Sequence, residues 1–74
     1  MVRLPVISGD ELIAILKKIG FQVIRHRGSH VSLQKGIYQT VVPLHDELAK
    51  GTLIGILKQC GLSKEDLDNL LNKF

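Results

Sequence analysis

The densest chemistry in the sequence lies in six consecutive residues, Arg25-His26-Arg27-Gly28-Ser29-His30. Arginine presents a planar fork that matches phosphate oxygens, glycine lets backbone N–H groups approach an anion, and histidine changes charge near neutral pH. These are the parts that ribonuclease chemistry requires. A neutral imidazole can take the proton from a ribose 2′-hydroxyl as its oxygen attacks the adjacent phosphorus, while cations stabilise the charge that develops there. Dependence on the 2′-hydroxyl makes the substrate RNA rather than DNA. On an exposed strand, histidine is more often a plain polar surface residue, so the reading depends on what the fold gathers around it.

Other chemistries fit less well. Ser29 and His30 are sequence neighbours and point to opposite faces of a strand, which argues against a hydrolytic triad. His26, His30, His45 and Cys60 are the candidates for a metal site, but none of their spacings matches a ligand motif. Tyr38 and Phe21 are available to stack on bases. Yet aromatic residues are 4% of the chain and tryptophan is absent, far from the interleaved platform of single-strand binders.

The elements that must position the segment follow from periodicity. Ser8 with Glu11 forms a capping-box pattern, and Leu12, Ile15, Leu16 and Ile19 recur at helical spacing before Gly20, a natural stop. Residues 21–27 favour an extended chain, although Phe21, Val23 and Ile24 alternate too imperfectly to assign faces. After a turn at Gly28, Val31 and Leu33 alternate with His30, Ser32 and Gln34. If the apolar pair faces a core, the other three share the wetter face. Lys35 and Gly36 make a hairpin turn into a third strand over residues 37–42, ended by Pro43. Thr52 is the expected cap of a second helix carrying Leu53, Ile54, Ile56, Leu57 and Cys60, with Gly61 as its stop. Ser63 and Asp66 open a last helical stretch bearing Leu67, Leu70, Leu71 and Phe74. These stripes are core rather than partner grooves. The expected order, αβββαα, is an α+β fold: a three-stranded antiparallel sheet with helices on one face and the other left open.

Composition bounds the rest. A chain of 74 residues supports one domain, residues 1–74, with a thin core, and 45% apolar residues with two prolines suffice to fold it. Cys60 is the only cysteine, so no internal disulfide forms and a reducing compartment is expected. The N-terminal apolar stretch after Arg3 is broken by Pro5 and is too short for a signal peptide or membrane span, so a cytoplasmic location is expected. Charge is uneven. Residues 1–36 hold Arg3, Lys17, Lys18, Arg25, Arg27 and Lys35 against Asp10 and Glu11, whereas residues 37–74 hold four lysines against five acids. The basic half suits a polyanion.

Read in order, Gly20-Phe21, the segment from Arg25 through Gly28-Ser29-His30, Val42-Pro43 with His45, and Gly51-Thr52-Leu53 leading to Leu57-Lys58-Gln59 resemble the HicA toxins over nearly the whole chain. The resemblance implies a fold like the double-stranded-RNA-binding domain and a small messenger-RNA endonuclease (mRNA interferase) of a type II toxin-antitoxin system. It further implies a catalytic histidine in the Gly-Ser-His segment, here His30, and a HicB antitoxin that binds the toxin and blocks its site. This chain departs from the pattern at Ile54 and Gly55, where basic residues usually follow the Thr-Leu start of the second helix. Gly55 also weakens a helix interior by about 1 kcal/mol relative to alanine.

The sequence thus points to a sequence-tolerant or weakly selective endoribonuclease with His30 as general acid or base, acting without metal or other cofactor. Arg25 and Arg27 are the expected phosphate contacts, with backbone at Gly28 and Ser29 and longer-range attraction from Lys35. RNA and a HicB-like antitoxin are the expected partners, and a membrane is not. A non-catalytic RNA-binding module, or a degenerate toxin that retains only antitoxin binding, is the alternative. A purely structural interaction domain ranks third.

Overall fold

The structure, a computed structural model, describes residues 4–73. Arg3 and Phe74, counted above in the basic half and the last apolar stripe, lie outside that range. The element order is α1 (Gly9–Lys18), β1 (Gln22–Arg27), β2 (His30–Lys35), β3 (Tyr38–Pro43), α2 (Lys50–Gln59) and α3 (Lys64–Lys73). The strands form one antiparallel sheet in the order β1-β2-β3, giving the α+β architecture expected of a double-stranded-RNA-binding-domain-like chain.

The caps explain the helix limits. At α1, the Ser8 hydroxyl accepts from the Glu11 N–H at 3.1 Å and the Glu11 carboxylate accepts from the Ser8 N–H at 3.0 Å. Gly20, at φ 108°, closes the same helix, with Phe21 N–H donating to Leu16 and Gly20 N–H to Lys17. Gly61, at φ 72°, repeats that device after α2, through Leu62 to Leu57 and Gly61 to Lys58. Ser63 and Asp66 exchange bonds at the start of α3. The Ser63 backbone and hydroxyl hold the Asp66 carboxyl below its ordinary value.

One expected cap is displaced. Thr52 does not start α2; the N-cap is Ala49, which makes no side-chain cap bond, and Thr52 is an exposed residue of the first turn. The helix begins early because Leu48 is buried and tied by its N–H to the Ile7 carbonyl at 2.9 Å, which sets the chain direction one turn sooner. Strand limits also shift by a residue: β1 begins at Gln22 rather than Phe21, the second turn is Gly36-Ile37 so that β2 runs through Lys35 and β3 begins at Tyr38, and β3 includes Pro43, tolerated at an edge strand.

Helices cover one side of the sheet. Leu12 and Leu16 of α1, Leu53 and Leu57 of α2 and Leu67 of α3 meet Val31, Leu33 and Val42 from the sheet in a single core. Contact there is close. At Gly9, a Cβ would overlap the Pro43 carbonyl oxygen, so glycine is what lets α1 approach the end of β3. Thr40, the buried polar residue of this core, donates its hydroxyl to the Gln59 side-chain oxygen at 2.7 Å. Burial of Cys60 raises its thiol pKa from 9.0 to about 11, against a smaller opposing effect of the Thr40 hydroxyl, which keeps it protonated and unreactive.

Candidate RNA-facing site

The register decides which side chains share the open face. Along β2, Val31 and Leu33 are buried, and His30, Ser32 and Gln34 project to the other side, as the alternation required. Cross-strand pairing places Arg27 and Pro43 beside His30, Arg25 and Val41 beside Ser32, and Gln22 and Gln39 beside Gln34.

A register irregularity between Val23 and Arg25 makes this arrangement possible. Phe21 is buried and Val23 pairs with Leu33 on the helix side, so strict alternation would turn Arg25 and Arg27 toward the helices as well. Ile24 is the extra residue, a β-bulge that absorbs one position. Arg25 and Arg27 then land on the His30 face. The bulge also accounts for the imperfect alternation in the sequence.

Arg27 sits directly across from His30, where Cβ atoms of paired residues lie about 4.5–5.5 Å apart, and Arg25 lies one diagonal away. Neither guanidinium forms an ion pair or hydrogen bond among the described residues, and the His30 ring is likewise without a protein partner there. All three side chains are exposed. No acidic residue occurs between Glu11 and Asp46, so the whole sheet lacks a carboxylate that could neutralise them.

The turn that starts β2 is firmly held. Gly28 takes φ 53° at the first central position of a two-residue hairpin, the place where a type II′ turn requires glycine. Leu44 N–H donates to the Ser29 carbonyl at 2.6 Å and ties the turn to the end of β3. His26 Nε2 donates to the Gly28 carbonyl at 3.0 Å and braces it from within. The N–H groups of Gly28 and Ser29 make none of the turn and loop bonds among the described residues, which suits them to an anion.

Not every predicted residue joins this group. Lys35 is at the far end of β2, about 16 Å along the strand from His30, and lies on the helix side with its stem over Gly20. His26 pairs with Val31 and belongs to the helix-side row. The His45 carbonyl accepts from Gly9 N–H at 2.9 Å, while its side chain is exposed. Phe21 is buried, and the Tyr38 ring covers Gly61, so neither aromatic offers itself to a base on the open face. Among the described residues, no three His, Cys, Asp or Glu side chains gather as metal ligands.

The family model described as HicA toxin of bacterial toxin-antitoxin matches residues 9–62, from the first residue of α1 to just past α2. The chain belongs to the HicA toxin family. In this HicA chain the match takes in every strand and the whole Arg25–His30 segment, and α3 lies beyond it. No curated protein and no solved structure matches the chain. No helix among the described residues is long and apolar enough to cross a membrane.

Sequence reasoning missed Ile24, Gln22 and Gln39 as members of the open face. For the glutamines the signal was their register opposite Gln34, which only the strand pairing supplies.

Proposed function

We propose that this chain is an mRNA interferase, a metal-independent endoribonuclease that cuts messenger RNA through His30. The observation that carries the proposal is the convergence of His30, Arg25 and Arg27 on one exposed, acid-free sheet face. Their functional groups are not consumed by the fold.

The reaction follows from these groups. The neutral His30 imidazole takes the proton of a ribose 2′-hydroxyl, and the 2′-oxygen forms a bond to the adjacent phosphorus as the bond to the 5′-oxygen breaks. Arg27, directly opposite His30, and Arg25 stabilise the added negative charge, with the Gly28 and Ser29 amides close by. The leaving oxygen is protonated by the imidazolium or by water, giving a 2′,3′-cyclic phosphate and a 5′-hydroxyl. With His26 turned to the helix side, His30 has no neighbouring imidazole on β1 to share the work, so it must serve both transfers or leave one to water, and turnover is slow. Slow turnover is sufficient for a toxin. A HicB-like antitoxin that covers this face would block it, as the family relationship suggests.

The test is cleavage of RNA by purified protein in EDTA, wild type beside His30→Ala, with circular dichroism on both. Cleavage that disappears in a folded variant is the expected result. Equal cleavage by both would move catalysis away from His30, and no cleavage by either would favour a non-catalytic RNA-binding role.

A further inference from the structure

Beyond the row that holds His30, the open face continues for two more rows whose chemistry differs from that of a phosphate site. The middle row carries Ile24 and Arg25 on β1, Ser32 on β2 and Val41 on β3; the last carries Gln22, Gln34 and Gln39, one from each strand. Ile24 and Val41 are 48% and 44% exposed, high for branched apolar residues on a sheet that already has a core on its other side. Ile24, Arg25, Ser32 and Gln39 line a depression of about 360 Å³ across the sheet.

The glutamine row has its hydrogen-bonding capacity available. Gln22 and Gln39 make no side-chain hydrogen bond among the described residues, and Gln34 donates one N–H to the Gly36 carbonyl at 3.2 Å. An amide offers a donor and an acceptor side by side, the pattern that reads base edges. Amides carry no charge, so this row adds nothing to phosphate attraction. Its place beside apolar side chains fits bases rather than backbone.

We propose that the open sheet face is a track for an unpaired RNA strand, in which Gln22 and Gln39 read base edges two rows, about 13 Å, along the sheet from the phosphate held at His30. This rests on the function proposed above and names its substrate class. Charge complementarity favours RNA as the occupant, since Arg25 and Arg27 on the same face are unpaired and no acid opposes them. Strandedness follows from geometry. Displacement at phosphorus needs the 2′-oxygen in line with the departing 5′-oxygen, a conformation open to an unpaired strand and closed to a regular A-form duplex. Base edges, too, are exposed to a flat surface only when the bases are splayed out.

The test is fluorescence anisotropy on the folded His30→Ala protein, which binds without cutting. Probes are labelled oligo-A, oligo-C and oligo-U, and one mixed-sequence RNA measured alone and annealed to its complement. The single strand should bind at least about tenfold more tightly than its duplex. The affinities for A, C and U should differ severalfold, and adding Gln22→Ala with Gln39→Ala should bring them together while leaving the salt dependence unchanged. Duplex binding as tight as single-strand binding overturns the proposal, as does an A, C, U spread that is absent or that survives the double substitution. Both glutamines are exposed, so loss of fold does not confuse the result. Cleavage plays no part in the measurement, so it separates failure of this proposal from failure of the ribonuclease assignment.

Discussion

The two faces of the same three strands obey different rules. On the helix side, Val31, Leu33 and Val42 are at most 4% exposed, a backbone carbonyl stands where a Gly9 side chain would begin, and the buried Thr40 hydroxyl has its partner. On the open side, Arg25, Arg27, His30, Gln22 and Gln39 make no side-chain bond among the described residues. Folding therefore specifies one face through packing, and the other is free to be specified by what it binds. The bulge at Ile24 is where the two requirements meet, because it lets Phe21 stay in the core while turning Arg25 and Arg27 out.

The largest contrast should come from neighbours on one strand. Leu33→Ala, at a fully buried position, should lower stability by about 2–5 kcal/mol, whereas Ser32→Ala should stay within about 0.5 kcal/mol. Urea denaturation of the two variants checks this, and similar losses would break the division between faces.

Cys60 sharpens the helix-side half. Its folded pKa of about 11 lies above the ordinary 9.0, so below pH 9 the thiol is protonated in both states and contributes no pH dependence. Between pH 9 and about 11 the unfolded thiol ionises first, and stability should fall with rising pH by on the order of 2 kcal/mol. The difference between the slopes of the wild type and Cys60→Ala isolates this contribution, and the variant should show the shallower fall.

On the open face, Arg25→Ala and Arg27→Ala should each leave the unfolding midpoint in place. Each should reduce the slope of log affinity for RNA against log salt by about 0.7–1. Unchanged binding across a salt titration would remove that arginine from the phosphate site.

Gly55→Ala has the smallest expected effect. A Cβ at Gly55 meets nothing within 4 Å, so no close approach requires glycine there. Alanine should stabilise the protein by about 0.5–1 kcal/mol in the same urea assay.

Much of the helix-side architecture was legible because it rests on local chemistry. The Ser8–Glu11 and Ser63–Asp66 caps, the Gly20 and Gly61 stops and the Val31/Leu33 alternation are all written within a few residues of where they act. The start of α2 was not, because it depends on Leu48 bonding to Ile7, forty-one residues earlier in the chain. The same holds for the site. His30 and its face followed from the period of β2, which equally puts Lys35 on the helix side with Val31 and Leu33, but the side on which Arg25 and Arg27 fall depends on the bulge in β1, a tertiary consequence.

The most direct test of the division between faces is an amide chemical-shift titration of His30→Ala protein with unlabelled single-stranded RNA. The account predicts that shifts concentrate in β1, the Gly28-Ser29 turn and β2, with the amides of α1 and α2 nearly still. Shifts centred on α1 and α2, with β1 and β2 unmoved, would contradict it.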